Sequence, residues 1–152
     1  MMTPRILVGA AEFDAGAELA RLNVAGTGGI GSFIGTVRDD GGKILALNLE
    51  HYPGMTERAM GKIVAAAASR WPLLACTLIH RVGRLRPGDN IVFVGAASAH
   101  REAALQATGF LIDWLKTAAP FWKREELADG GAAWVEARAA DEAAAGAWKG
   151  SK

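Results

Sequence analysis

Apolar and polar positions along the chain change their period several times, and each change marks a predicted element. From Lys43 to Tyr52, the residues Ile44, Ala46, Asn48 and Glu50 alternate against Leu45, Leu47, Leu49 and His51, the period of two expected of a strand. Upstream, Gly28 to Arg38 also reads as a strand on Ile30, Phe33, Ile34 and Val37, while its four glycines point to close backbone approach or a bulge. Asp39-Asp40-Gly41-Gly42 between the two runs is a turn signal, so they are expected to pair as a hairpin. Further short strands are expected from Arg5 to Val8, Leu73 to Val82, Ile91 to Ala97, Phe121 to Glu126 and Ala133 to Ala137. Arg84 to Asn90 and Asp129-Gly130-Gly131 read as turns.

Helical spacing breaks up these runs. A weak helix is predicted from Ala15 to Asn23 on Leu19 and Leu22. A second, capped by Thr56, should run to about Arg70 with Met60, Ile63, Val64 and Ala67 on its apolar face, and Trp71-Pro72 stops it. A long helix from Arg101 to about Ala118 carries Leu105, Thr108, Ile112 and Leu115. The alanine-rich tail, about 140–152, reads as flexible or helical and is expected to fray. Paired strands with a few intervening helices predict an α+β fold in a single domain spanning 1–152.

Composition narrows the function classes. The chain has 152 residues, 51% of them hydrophobic and 22% charged, which is enough for a buried core without covalent staples. A net charge of +1 argues against bulk nucleic-acid affinity, so any anion must be held by local placement of cations. One cysteine excludes a disulfide framework and a cysteine-rich zinc site. No apolar run reaches membrane-spanning length and no signal-like segment opens the chain, so no membrane association and a cytoplasmic location are expected.

Several chemical signals fail on context. Gly26-Thr27-Gly28-Gly29-Ile30-Gly31 spells the dinucleotide string GxGxxG, but that mechanism needs a strand before it and a helix after it, and here the order is reversed. His51, His80 and His100 show no metal-ligand spacing; no metal and no cofactor is expected. His51 and His80 read as structural histidines in strands, and Cys76 as a small core residue.

What remains is a set of cations around one helix. His100 and Arg101 lie where the long helix begins, where free N–H groups favour an anion, and Arg101 adds a bidentate donor. Lys116 sits in the last turn, Pro120 then forces a new direction, and Lys123 follows on an extended segment, so the two lysines can converge. A lysine held among cations and apolar walls can act as base or nucleophile, and Trp122 is a candidate wall. Arg38, ending the glycine-rich strand, is a candidate phosphate or carboxylate clamp. Each also has an ordinary surface explanation.

These residues carry a resemblance. Gly35-Thr36-Val37-Arg38, Leu49-Glu50-His51-Tyr52-Pro53-Gly54-Met55, Ile79-His80-Arg81-Val82-Gly83, Ser98-Ala99-His100-Arg101 and Leu115-Lys116-Thr117 through Pro120-Phe121-Trp122-Lys123-Arg124-Glu125 occur in an order and spacing that resembles the large, catalytic subunit of molybdopterin synthase. The resemblance implies an α/β hammerhead-type fold with an additional small antiparallel sheet. It implies a sulfurtransferase that moves sulfur from the C-terminal glycine thiocarboxylate of a small ubiquitin-like partner subunit to cyclic pyranopterin monophosphate, making the molybdopterin dithiolene. A homodimer within a heterotetramer is implied as well. By carry-over, Thr36, Val37, Arg38, His100, Arg101, Lys116, Lys123, Arg124 and Glu125 contact substrate, Lys116 and Lys123 are catalytic, and Arg138 is a further pocket candidate. A competing reading is a non-catalytic module that docks the C-terminal tail of a small ubiquitin-like protein.

Overall fold

The expected strands form, but they sort into two sheets. The computed structural model describes residues 2–135 and 139–149. In chain order the elements are β1 Arg5–Gly9, α1 Ala15–Leu22, β2 Gly29–Thr36, β3 Ile44–His51, α2 Met55–Arg70, β4 Leu73–Arg81, β5 Gly83–Leu85, β6 Asn90–Ser98, α3 Arg101–Ala118, β7 Phe121–Leu127, β8 Ala132–Val135 and α4 Ala139–Gly146. The first sheet has the order β1-β4-β6-β2, with β1 parallel to β4 and the other pairs antiparallel. The second, β5-β3-β7-β8, is antiparallel throughout. This is the expected α+β architecture with its additional small antiparallel sheet.

The expected hairpin between β2 and β3 does not form. β2 pairs with β6, and β3 pairs with β5 and β7 in the other sheet. The turn signal is real: Asp40, Gly41 and Gly42 all take positive φ, with Lys43 N–H donating to the Asp40 carbonyl and Ile44 N–H to that of Asp39. It serves to pass the chain from one sheet to the next, because the antiparallel partner of β2 is supplied from much later in the chain.

The first sheet is the core. On one face α2 and α3 bury Met60, Ile63, Val64, Ala107, Phe110 and Leu111 against Cys76, Leu78, Val92, Val94 and Ala96. On the other, Leu22 of α1 and Phe13 cover Ile79, Phe93 and Ala97. Fully buried side chains such as Leu78 and Phe93 contribute about 1.5–3 kcal/mol each relative to exposure. Helix α3 lies along β2 and β6, and the β2 glycines explain how closely. A Cβ on Gly29 would sit 2.9 Å from the Arg101 Cα, and one on Gly31 2.6 Å from the Ala104 carbonyl oxygen and the Thr108 hydroxyl. The GxGxxG string is therefore a strand surface stripped of side chains so that a helix backbone can approach it.

One local expectation changes. Thr56 does not cap α2; Gly54, at φ +83°, is the cap, and its N–H donates to Glu57 Oε1. Thr56 is fully buried in the first turn instead. It accepts the Tyr52 N–H at 3.1 Å and donates to the Pro120 carbonyl at 3.0 Å. Within the tail, Ala139–Gly146 forms α4, the helical alternative. Trp148 packs edge-on against Trp71 and Phe110, and its indole N–H donates to Asp113 at 2.8 Å.

Candidate functional site

The turn at Pro120 brings the start of β7 against a buried histidine. Helix α3 ends at Ala118, Ala119 adopts an extended backbone, and β7 begins at Phe121. Phe121 lies opposite His51 on β3, and Lys123 lies opposite the buried Leu49. The ring of His80, near the end of β4, stacks on Phe121 with centroids 3.8 Å apart and planes 20° from parallel. His80 is 7% exposed, and its Nδ1–H donates to the Arg81 carbonyl at 2.8 Å. Burial lowers its pKa to about 4; Lys123, Lys116 and His51 push it the same way, opposed by the bond to Arg81. The charges of both lysines therefore act within electrostatic range of one buried ring.

Strand alternation sorts the rest of this segment. Lys123 faces inward with Leu49. Trp122 and Arg124 project from the opposite face, across from Glu50 and Asn48. Trp122 is therefore no wall for Lys123. It is 52% exposed, packs edge-on against Tyr52 and Trp134, and donates its indole N–H to the Tyr52 hydroxyl. Together with Glu50 and His51 these rings line a shallow cavity of about 420 Å³ on the outer face. Arg124 keeps company with Glu126, whose carboxylate is held below the usual range by hydrogen bonds from Arg84 and Asn48. Glu125, two residues from Lys123, returns to the lysine face.

The cations at the other sites divide by sheet end. Gly35 on β2, Val92 on β6 and His80 on β4 form one row across the first sheet. At about 4.8 Å per strand, the backbones of Gly35 and His80 are roughly 10 Å apart. Thr36 and Arg38, both exposed, follow at this same end. Val37 turns inward, 6% exposed against Leu49 and Leu85, with its N–H given to Asp89 and its carbonyl accepting from Gly88. Its side chain packs into the core beside Leu49 and Leu85. His100 is the N-cap residue of α3 and Arg101 its first residue, both exposed. Fifteen residues at 1.5 Å each put Arg101 about 22 Å from Lys116. One chain therefore does not gather all the predicted cations into one pocket. Arg138 lies outside the described residues.

Three groups at this site escaped the sequence reading. His80 and His51 read as ordinary strand histidines, and Thr56 as a cap. Their positions in the site come from pairing across the sheets and from the Pro120 carbonyl, 64 residues from Thr56. Cys76 is as expected. It is 2% exposed, and burial pushes its thiol up to about 12, leaving no thiolate to carry sulfur. Among the described residues no group of three or more metal-ligating side chains is present.

Comparison with known proteins supplies an independent line. The family model described as MoaE protein matches residues 8–118. The molybdopterin synthase catalytic subunit of Pseudomonas aeruginosa is 54% identical over 148 residues, covering 95% of this chain and 98% of that protein. The solved structure of a molybdopterin biosynthesis MoaE protein from Burkholderia ambifaria superposes with a TM-score of 0.82 at 46% identity, covering 96% and 98% of the two chains. A protein–protein complex of subunits 1 and 2 of molybdopterin-converting factor from Helicobacter pylori shares the fold at a TM-score of 0.71, with 20% identity and coverage of 88% and 90%.

Proposed function

The chain belongs to the MoaE protein family, and on that premise we propose that it is the catalytic subunit of a molybdopterin synthase. Its reaction is sulfur transfer from the C-terminal thiocarboxylate of a small partner subunit to cyclic pyranopterin monophosphate. The observation that supports the reading is the Pro120 turn, which ends α3 just after Lys116 and starts β7, the strand of Lys123, with Phe121 stacked on His80. Lys116 meets the carbonyl of the partner's tail, and Lys123 stabilises the oxyanion that develops there; preorganised charge of this kind is often the largest catalytic contribution. Arg38 and Thr36, at the same sheet end, hold the substrate's phosphate. The sulfur comes from outside, since the single cysteine is buried and protonated. The Helicobacter fold relative was solved as a two-subunit complex, in keeping with a partner that delivers it.

The distance between Arg101 and Lys116 favours a site shared by two copies. β2 is an edge strand whose Ile30, Phe33 and Ile34 are 37–38% exposed, and Leu105 on α3 is 61% exposed. Leu105, Ile112 and Lys116 follow helical spacing along one side of α3. Helix α3 runs in the direction of β2, with Arg101 beside Gly29 and Ala104 beside Gly31. A second copy paired antiparallel along β2 has its α3 reversed, which carries its His100 and Arg101 toward Lys116. This homodimer, with a small subunit for each site, works in the cytoplasm. The test is to mix the chain with thiocarboxylated small subunit and cyclic pyranopterin monophosphate and to measure dithiolene. Binding of the small subunit without product would favour the non-catalytic docking module.

A further inference from the structure

We infer that His80 is a positioning residue of this reaction: its ring, packed flat on Phe121, fixes the start of β7 and thereby the place at which Lys123 meets Lys116. The inference rests on the sulfur-transfer reading above. Helix α3 and β7 meet at a corner, and two contacts define it. Thr56 holds the Pro120 carbonyl at 3.0 Å, which fixes the backbone of the turn. His80 holds the first side chain beyond it, at 3.8 Å and nearly parallel.

The anchor is rigid. β4 has β1 on one side and β6 on the other, and His80 is 7% exposed. The bond from Nδ1–H to the Arg81 carbonyl at 2.8 Å fixes both ring orientation and tautomer. Phe121, in contrast, belongs to the second sheet, which among the described residues has no hydrogen-bonded strand in common with the first. The stack is thus a bridge between the sheet that carries the core and the strand that carries Lys123. The neighbours explain why the ring must stay uncharged. Burial disfavours a charge on it, and the charges of Lys123 on β7, Lys116 on α3 and His51 on β3 act in the same sense. A charged ring here would drive the lysines away from the corner that it helps to build.

The experiment compares the wild-type complex with His80→Ala and His80→Phe, reading kcat and KM for the pterin, with circular dichroism as the check on folding. A misplacement of about 1 Å costs on the order of 100-fold in rate, so His80→Ala should lower kcat roughly 10- to 100-fold with KM changed by less than about twofold. His80→Phe keeps a flat ring on Phe121 and should recover kcat to within about threefold of wild type. Wild-type kcat in a folded His80→Ala overturns the inference, as does a folded His80→Phe no faster than the alanine variant. If His80→Ala does not fold, Phe121→Leu removes the other half of the stack and is read in the same way. A crystal structure separates this inference from the reaction itself. Lys123 displaced in His80→Ala supports positioning even if the wild-type complex makes no product, whereas unmoved lysines overturn it.

Discussion

Replacing Gly31 by alanine should loosen the packing of α3 on β2, and the cost can be worked from the geometry. The added Cβ would sit 2.6 Å from the Ala104 carbonyl oxygen and from Thr108 Oγ1. Ordinary contacts begin near 3.4 Å, so strand and helix must part by several tenths of an ångström along a buried seam. Overpacking of this kind costs about 1–3 kcal/mol. With an m-value near 2 kcal/mol/M, the urea midpoint should fall by about 0.5–1.5 M. Gly28→Ala should be worse, because its Cβ would lie 1.9 Å from a backbone oxygen that cannot rotate away. Gly9→Ala is the control: nothing lies within 4 Å of its Cβ and its φ is not positive, so it should stay within about 0.5 kcal/mol of wild type. Equilibrium urea unfolding of the three variants gives the ranking. A Gly31→Ala protein as stable as Gly9→Ala would refute the packing account of the glycine string.

The remaining predictions concern charge and sulfur. His80 is neutral in the folded protein down to about pH 4 but titrates near 6.5 when unfolded, so the unfolded chain binds the extra proton between these values and stability is lost as pH falls. The loss from pH 7.5 to 4 is on the order of 3 kcal/mol, and His80→Phe should flatten that part of the pH–stability curve; an unchanged slope counts against it. Glu126 runs in the same sense. Its depressed carboxylate contributes stability above the ordinary value of 4.5, lost as pH falls through the folded value, so the gap in urea midpoint between wild type and Glu126→Gln should narrow in acid. Cys76 should resist alkylation at pH 8 until denaturant is added, and Cys76→Ala should still transfer sulfur; rapid native-state labelling would contradict its burial.

The elements and the lysine turn could be read from the chain because both depend on local signals. The period of two in β3, the helical face of α2 and the break at Pro120 need no distant partner. Sheet membership does. Asp39 to Gly42 looks the same whether the chain returns to its own sheet or crosses to another, so the β2–β3 hairpin was a reasonable expectation and an incorrect one. β5 was missed because three residues with one buried position, Leu85, leave no period to detect. The outward direction of Trp122 was legible in principle, since neighbours on a strand face opposite ways. The separation of Arg101 from Lys116 was legible too, from helix rise alone. The place of His80 was not: a histidine ending an apolar strand says nothing of Phe121, 41 residues later.

In the proposed shared site, the lysines of one protomer work with the α3 start of another. Mixing Lys116→Ala and Arg101→Ala protomers, and assaying dithiolene formation with thiocarboxylated small subunit at low pterin concentration, decides whether the site is shared. Each variant alone should be nearly inactive under these conditions. Random re-pairing makes half the dimers mixed, and each mixed dimer carries one intact site, so activity should recover to about a quarter of wild type. No recovery above the separate variants, with dimers shown to exchange, would contradict the shared site.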